Sequence, residues 1–404
     1  EHAIAYKLKQ SPKVSELYAI PGNPGIASLG TCVPGSVEDN EFIVDFVQKN
    51  QIDLTVIGPE VPLCNGLADD IEKAGYKAFG PQKKAATLEG SKAFSKDFMI
   101  RHHIPTAKYV EVTDFEKACK EVDHFDFPLV IKADGLAAGK GVVIVENKED
   151  AISTLKEMMV DGALDGAGSK VVLEEFLTGF ECSLLCFTDG KTIVPMVSAK
   201  DHKQIFDGNK GPNTGGMGSY SPVKKITSEI IDEAMNEIMK PMASAMVKEG
   251  VPFTGFLYGG LMLTEKGIKT IEFNARFGDP EAEVILPRLE SDFVQAILDL
   301  MDNKPVELKW TDKVSHGVVL ASTNYPASST KGSLITGVDD VDGLVFHMGT
   351  KMTDEGLVTD GGRVLMVVTL EDDLQTAFDH TYKELEKIQC KDLFHRNDIG
   401  KKDM

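Results

Sequence analysis

The chain has 404 residues, of which 42% are apolar and 26% charged, so it is long enough for two or three soluble domains. No apolar run approaches the ~20 residues of a membrane span, and lysines interrupt the short apolar start, unlike a signal peptide. The net charge of −20 disfavours nucleic acid and anionic membrane as partners. Six dispersed cysteines without a CxxC pair predict reduced thiols in a cytoplasmic protein, with no zinc site or disulfide framework.

Strand and helix signals alternate over the first 90 residues, which predicts a parallel α/β layer. The strand "ELYAI" leads into the turn "PGNPG", a helix "DNEFIVDFVQKN" follows, and the strand "DLTVIG" precedes "GPE" and a helix near 65–75. Ligands bind at the carboxyl ends of parallel strands. The candidate binding residues there are Gly22, Asn23, Gly58, Pro59 and Glu60. Ordinary turns are the alternative interpretation.

A loop of small residues and lysines lies within "PLVIKADGLAAGKGVVIV", residues 128–145. Lys132 ends a predicted strand, and Lys140 lies in the loop between Gly135 and Gly141. The spacing fits neither the P-loop nor the dinucleotide fingerprint. The loop could still lie against a triphosphate, and a plain hairpin loop is the alternative.

The rest of the chain alternates hairpins and helices. A strand at 171–177 precedes a hairpin with its turn at Asp189-Gly190. A glycine- and proline-rich loop is expected over 201–222, and a helix over 229–249. A second hairpin then ends in "IEFNARF". Strands at "HGVVLAS", "LVFHMGT" and "GGRVLMVVTL", with a closing helix, predict a small α+β unit at 311–404.

The segment "IEFNARF" alternates apolar and polar residues, as a half-buried strand does. Glu272 and Asn274 offer oxygen ligands one strand repeat apart, which suits magnesium. Arg276 on the same face suits a carboxylate or phosphate. The alternative is the solvent face of an edge strand.

A third candidate is "EEFLTGFE", an acidic strand end that turns through Gly179. An adenine could bind the backbone of Glu175 to Leu177, with Glu181 on the ribose hydroxyls. A capped strand end explains the same residues.

Several segments resemble the glycinamide ribonucleotide synthetase family of the ATP-grasp superfamily. They are, in order, "EGSKAFSKDF", "IKADGLAAGKGV", "DHK", "GPNTGGMGSYSP", "IEFNARFGDPE", "GGRVL" and "RNDIG". The resemblance covers nearly the whole chain, and "GPNTGGMG" and "RFGDPE" are its most specific parts.

The resemblance implies a multidomain α/β and α+β fold. It predicts an N-terminal Rossmann-like parallel α/β domain at 1–89, an ATP-grasp domain at 90–310 with a mobile flap subdomain near 107–175, and a C-terminal α+β domain at 311–404. The family begins with a strand and a "GGRE" turn, whereas this chain starts inside that motif. We therefore expect the first strand to be absent.

The resemblance also implies ligation of glycine to phosphoribosylamine with ATP and Mg²⁺ or Mn²⁺, through a glycyl phosphate. The residues expected to act in catalysis are Lys140, Arg276 and Asp201. The residues expected to bind nucleotide are Lys92, Lys132, Gly135, Gly139, Gly141, Glu174, Glu175, Phe176, Leu177 and Glu181. Glycine and phosphoribosylamine are expected at Asn213, Thr214, Gly215, Gly216, Met217, Gly218, Gly278, Asp279 and Pro280, with the ribose phosphate at "PGNPG" and "GPE". Glu272 and Asn274 are the expected metal ligands.

Two other functions remain open at this point. One is a different ATP-grasp ligase or carboxylase of purine metabolism. The other is a nucleotide-binding regulator without turnover. The expected partners are small molecules only, and a monomer or weak dimer is expected.

Overall fold

The computed structural model describes residues 1–135, 141–162 and 167–404. The helices within these ranges are α1 His2–Lys9, α2 Pro24–Ala27, α3 Asn40–Asn50, α4 Glu60–Asn65, α5 Leu67–Lys73, α6 Lys83–Gly90, α7 Lys92–Arg101, α8 Phe115–Glu121, α9 Lys148–Met159, α10 Ser228–Ala234, α11 Lys240–Lys248, α12 Glu281–Ile285, α13 Phe293–Met301 and α14 Leu374–Leu385. None of them is long and apolar enough to cross a membrane.

The strands alternate with these helices along the chain. They are β1 Tyr18–Ala19, β2 Thr31–Cys32, β3 Thr55–Val56, β4 Ala78–Phe79, β5 Tyr109–Val112, β6 Leu129–Ala133, β7 Val142–Val145, β8 Val171–Glu175, β9 Phe180–Asp189, β10 Ile193–Pro195, β11 Lys200–Asp201, β12 Gln204–Phe206, β13 Lys210–Asn213, β14 Gly218–Ser221, β15 Thr254–Thr264, β16 Gly267–Asn274, β17 Val314–Ser322, β18 Leu344–His347, β19 Thr350–Thr353, β20 Gly356–Thr359, β21 Arg363–Glu371 and β22 Leu393–Phe394.

The chain folds as two compact units. The first unit comprises 1–51, 196–226 and 277–404, and the second comprises 52–195 and 227–276. Parallel pairing occurs near the N-terminus, as predicted, but in two separate two-stranded sheets: β1 pairs with β2 in the first unit, and β3 pairs with β4 in the second. The strand β2 was not predicted. The predicted domain boundaries at 89 and 310 stay a prediction.

The second unit contains two four-stranded sheets. One has the order β5-β8-β6-β7, and its inward face packs on α8 and α9 through buried Val, Leu, Ile and Ala side chains. The other has the order β10-β9-β15-β16, so that β16 lies at an edge. The segment that precedes β5 contacts β16: Thr106 donates its hydroxyl hydrogen to the Thr270 carbonyl, and the Thr270 N–H donates to the Pro105 carbonyl.

The helix expected over 229–249 is interrupted in the structure. Residues Met235–Met239 form a π-helical turn between α10 and α11. Pro241, the second residue of α11, has no N–H to donate to the preceding turn, which favours such an irregularity.

The first unit is built on one sheet of the order β11-β14-β17-β21-β18, with β22 paired to β17. α14 covers one face, and Val318, Leu320, Leu365 and Val367 are buried in the core. The strand expected at "LVFHMGT" is divided into β18 and β19.

The loop expected over 201–222 is largely strand, so that expectation was wrong. β12 and β13 form a hairpin, and β11 and β14 join the main sheet. Arg396, which is almost fully buried, donates to the Gln204 carbonyl and to the Asn209 side-chain oxygen, both at 2.9 Å. These hydrogen bonds from Arg396, in the distant "RNDIG" segment, order a segment whose glycines and prolines are typical of an irregular loop.

A buried histidine in the first unit predicts acid sensitivity. The His316 ring bonds the Thr381 hydroxyl and the Ile399 carbonyl, each at 2.9 Å. Burial lowers its pKa from 6.5 to about 4. The unfolded chain therefore binds more protons than the native protein between these values, and native stability falls on acidification through that window.

We expect this one group to account for about 3 kcal/mol of unfolding free energy lost between pH 6.5 and pH 4. Urea unfolding of the wild type and of His316→Gln at both pH values measures it. The variant should be less stable at pH 6.5 but lose less stability on acidification. An equal loss in both proteins would contradict the assignment.

Candidate functional site

The nucleotide-site candidates of the second unit surround a buried carboxylate. Lys132 on β6 and Lys96 on α7 place their Nζ atoms 3.0 Å and 2.9 Å from Glu174 Oε2. All three side chains are at most 4% exposed. Burial lowers the pKa of Lys96 to about 8, although Glu174 opposes the shift. This is a costly arrangement of buried charges, which is typical of functional sites.

The same lysines adjoin the predicted metal strand. The Lys132 Nζ also donates to the Ile271 carbonyl at 3.3 Å, one residue before Glu272 on β16. Burial is the largest influence on Lys92 and Lys96, and it lowers the pKa of both. Glu272 is close enough for its charge to oppose that shift. The structure therefore brings the predicted phosphate lysines and the predicted metal carboxylate together.

The predicted phosphate loop begins beside α7. Lys92 donates to the Gly135 carbonyl at 2.9 Å. Asp134 accepts from the Ser91 hydroxyl and from the Ala93 N–H, and so attaches the start of the loop to the first turn of α7. Gly141, at the end of the loop, accepts from the Ala133 N–H. Gly139 and Lys140 lie outside the described residues, so their predicted roles stay predictions.

The proposed adenine segment follows β8. The Glu175 N–H already donates to the Lys108 carbonyl. Glu181 lies near the start of β9, opposite Met262. Between them, Gly179 has a positive φ of 156°, and a Cβ there would lie 2.1 Å from the Leu263 carbonyl oxygen, so only glycine fits this turn. Phe176 and Leu177 lie in this connection between β8 and β9.

The residues present fit a magnesium–nucleotide complex. Glu174 Oε1 is buried without a hydrogen-bond partner in the described part of the chain, and it could accept from an amino group such as that of adenine. Lys92, Lys96 and Lys132 give local positive charge for phosphates in an acidic protein. No group of three or more His, Cys, Asp or Glu side chains within the described ranges is arranged to hold a metal. Glu272 and Asn274 would therefore share a metal with phosphate oxygens and water.

The end of β16 forms a second charged cluster. Arg276 Nε lies 3.6 Å from Glu60 Oε2 and 3.4 Å from Glu89 Oε1. Pro59 immediately precedes α4, which begins at Glu60, so the predicted "GPE" turn is a helix start. Gly58 precedes it. The family resemblance places the ribose phosphate at "GPE". Glu60 lies beside Arg276 in the structure, and the phosphate role stays a prediction.

In the first unit, Arg363 contacts several of the residues that are predicted to bind substrate. Arg363 donates to both carboxylate oxygens of Asp279, at 2.8 Å and 3.0 Å, and to the Gly215 carbonyl at 2.9 Å. The Gly215 N–H donates to the Tyr325 hydroxyl. A Cβ on Gly216 would lie 2.5 Å from Asp201 Oδ1 and 2.4 Å from Pro280 Cδ, so these backbones approach as closely as glycine permits.

The neighbouring residues hold this arrangement in place. Thr214 donates its hydroxyl hydrogen to the Lys203 carbonyl and accepts from the Gly216 N–H. Met217 is buried, and its N–H donates to the His202 carbonyl. Asn213 ends β13, Gly218 begins β14, and the Gly278 carbonyl accepts from the Ala282 N–H.

The "PGNPG" turn is ordered by its own contacts within the first unit. Asn23 Oδ1 accepts from the Ile26 N–H, and its Nδ2 donates to the His347 carbonyl. Gly22 has a φ of +80°, and a Cβ there would lie 2.4 Å from Cys32 Sγ. The Asn23 side chain is thus already bonded, and a substrate role at this turn stays a prediction.

Sequence reasoning missed four charged residues of these clusters: Lys96, Asp134, Glu89 and Arg363. Each lies in a segment that carried the family resemblance. Lys96 follows Lys92 by one helical turn, a spacing that places both on one face of α7 and could have indicated it. The other three could not be assigned partners without the tertiary structure.

The two-sheet second unit, with lysines around a buried carboxylate beside the strand that carries a Glu/Asn pair, is that of an ATP-grasp enzyme. Family models agree: those of the phosphoribosylglycinamide synthetase N domain, ATP-grasp (A) domain and C domain match residues 1–89, 90–282 and 315–402. The chain belongs to the phosphoribosylglycinamide synthetase family. This confirms the predicted family, fold class and class of enzyme.

Individual relatives agree with the family match. A phosphoribosylamine–glycine ligase of Halalkalibacterium halodurans is 49% identical over all of this chain and 94% of its own length. The crystal structure of phosphoribosylamine–glycine ligase from Thermotoga maritima superimposes with a TM-score of 0.87 at 34% identity, covering 98% of this chain and 97% of that chain. A biotin carboxylase domain from Hydrogenobacter thermophilus, in complex with MgADP, shares the fold at a TM-score of 0.72 and 17% identity, covering 97% and 89%.

Proposed function

We propose that this chain ligates glycine to 5-phosphoribosylamine, with conversion of ATP to ADP and phosphate. The product is glycinamide ribonucleotide, and the reaction is the second step of purine synthesis. The observation that carries the proposal is the Lys132–Glu174–Lys96 cluster beside β16, the strand of Glu272 and Asn274, in a chain that matches this ligase family over 1–282 and 315–402.

The reaction has two chemical steps. A carboxylate oxygen of glycine attacks the γ-phosphorus of ATP, the bond to the bridging oxygen breaks, and ADP leaves. The amine nitrogen of phosphoribosylamine then attacks the carbonyl carbon of glycyl phosphate, inorganic phosphate leaves with the electron pair of the C–O bond, and the nitrogen loses a proton. Neither step needs a protein nucleophile, so catalysis depends on positioning and charge neutralisation.

The residues of this chain would divide these tasks. Lys92 and Lys132 would bind and orient the phosphates, and Glu174 would accept from the adenine amino group. Glu272 and Asn274 would hold a divalent cation, Mg²⁺ in the first instance, which supplies charge neutralisation at the phosphoryl oxygens when bound. Arg276 would bind the glycine carboxylate. The Asp201, Gly215–Gly216 and Asp279–Pro280 cluster of the first unit would bind the amine substrate.

The predicted flap would have a physical purpose in this reaction. An acyl phosphate hydrolyses in water, so the loop that contains Lys140 would exclude solvent when it closes. A cytoplasmic location, Mn²⁺ as an alternative metal and a monomer or weak dimer remain predictions from the sequence.

Phosphate release from Mg·ATP tests the proposed function, with phosphoribosylamine generated in the cuvette. We expect release to require both glycine and the amine, and other amino acids or ammonia to fail as replacements. Release that is independent of glycine would contradict the proposal. ATP binding without any release would favour a nucleotide-binding regulator.

Arg363 provides a prediction for the first unit. Replacing it by lysine removes the paired contact with Asp279 and the bond to the Gly215 carbonyl, because an ammonium cannot form the planar two-point contact. We expect kcat/KM for phosphoribosylamine to fall about 10- to 100-fold, corresponding to charge-assisted bonds of about 1.5–3 kcal/mol. The KM for Mg·ATP should change less than about twofold.

Steady-state kinetics with each substrate varied in turn measures this effect. Arg101→Lys, at an arginine of α7 whose side chain is 41% exposed, is the control. Unchanged kinetics in Arg363→Lys would show that the Asp279 contact is not needed for substrate binding.

A further inference from the structure

Glu89 is a carboxylate of the second unit that the reaction described above does not use. It lies near the end of α6, immediately before the helix that carries Lys92 and Lys96. Its two oxygens have different partners on the end of the metal strand. Oε2 accepts from the Ala275 N–H at 2.7 Å, and Oε1 lies 3.4 Å from Arg276 Nε.

The two carboxylates beside Arg276 differ in their access to solvent. The Glu89 side chain is 8% exposed, whereas those of Glu60 and Arg276 are 29% and 25% exposed. Glu89 therefore supports the guanidinium from the protein interior, and the partly exposed side of the cluster consists of Arg276 and Glu60. A ligand carboxylate could reach Arg276 without displacing Glu89.

This burial is unfavourable for the charged form of Glu89. Burial raises its pKa to about 6, Arg276 and the Ala275 N–H oppose the shift, and Glu60 and Glu272 add to it. A neutral glutamine of nearly the same shape could accept from the Ala275 N–H without that cost. The charge of Glu89 is therefore explained better by its contact with the Arg276 guanidinium than by a contribution to folding stability.

A single side chain thus connects two parts of the site. Through Ala275 it holds the backbone between Asn274 and Arg276, and through its other oxygen it restrains the Arg276 side chain. An arginine on a strand end has several rotamers, and binding a small ligand requires that one of them be held.

We propose that Glu89 is a positioning residue that holds the Arg276 guanidinium in the orientation that binds the glycine carboxylate. This inference rests on the proposed function, because it names glycine as the ligand of Arg276. It assigns to Glu89 no contact with glycine, ATP or metal.

Glu89→Gln is the decisive variant. It keeps the volume and an oxygen for the Ala275 N–H, and it removes the charge that faces Arg276. We expect the KM for glycine to rise about tenfold or more, since a charge-assisted contact is lost, while kcat and the KM for Mg·ATP stay within about threefold of wild type. Glu89→Asp keeps the charge on a shorter side chain and should recover part of the affinity for glycine.

Glu233→Gln is a matched control on the same strand. Glu233 Oε1 accepts from the Ile268 N–H of β16 at 3.3 Å, near the opposite end of the strand from Glu89. The control therefore removes a glutamate charge from a backbone contact of β16, far along the strand from Arg276. We expect its KM for glycine to equal that of wild type.

Three outcomes separate the possibilities. A rise in the KM for glycine in Glu89→Gln alone, with partial recovery in Glu89→Asp and an unchanged melting temperature, supports the inference. A change no larger than that of Glu233→Gln, or equal losses for glycine and Mg·ATP with a lowered melting temperature, overturns it. A wild-type protein that ligates no glycine contradicts the proposed function itself.

Discussion

Glu272→Ala is expected to abolish turnover, with kcat lowered about a thousandfold or more. A bound cation contributes several kcal/mol of charge stabilisation to the transition state. Losing about 4 kcal/mol of it lowers the rate about a thousandfold. Glu272 is the only carboxylate of the predicted Glu/Asn pair, so its loss leaves the metal with one protein ligand and the nucleotide. Phosphate release at a series of magnesium concentrations measures the effect.

Two further variants make this prediction specific. Glu272→Asp keeps a carboxylate but places it farther from the metal, because the side chain is shorter. We expect this variant to need a higher magnesium concentration for its half-maximal rate than wild type does. Glu265→Ala removes an exposed glutamate from the turn between β15 and β16 and should leave the rate unchanged. Activity of Glu272→Ala at ordinary magnesium concentrations would show that the metal site has been placed wrongly.

Lys132→Met is expected to produce the second large effect. Its ammonium is buried, lies 3.0 Å from Glu174 and adjoins β16, so methionine removes a predicted phosphate ligand and leaves Glu174 paired with Lys96 alone. Removing one partner of a buried ion pair costs about 3–5 kcal/mol, part of which appears as lost stability of the folded protein. We therefore expect kcat/KM for ATP to fall at least about a hundredfold, together with a lower melting temperature.

The control for Lys132→Met is Lys148→Met. Lys148 is 47% exposed and pairs with Asp123, so the same substitution there removes a lysine charge without disturbing the cluster. ATP binding measured by calorimetry separates the loss of the phosphate contact from the loss of folding stability. If Lys132→Met bound ATP as wild type does and differed only in melting temperature, Lys132 would have a structural role alone.

Local sequence patterns predicted the site best where neighbouring residues share one strand. The alternation in "IEFNARF" placed Glu272 and Asn274 on one side, and Phe273 and Ala275 are indeed buried on the other. Lys132 was predicted at a strand end and lies near the end of β6. These predictions depend only on the two-residue repeat of a strand.

Local patterns failed where contacts from distant residues decide the conformation. The segment 201–222 was expected to be a loop because of its glycines and prolines, yet Arg396 and its neighbours hold part of it as a hairpin. The helix at 229–249 contains a π-helical turn that its apolar spacing did not indicate.

The sequence by itself determined the family, through motifs along nearly the whole chain, and the residue types from which a site is predicted: lysines that suit phosphates and an oxygen pair that suits magnesium. Only the tertiary structure decided which charges meet. Arg363 pairs with Asp279 across 84 residues, and Lys132 reaches the Ile271 carbonyl across 139. The physical reason is that strand and helix periodicities relate residues a few positions apart, whereas ion pairs and burial depend on how whole elements pack. Burial in turn sets the pKa of Glu89, which no local pattern could have revealed.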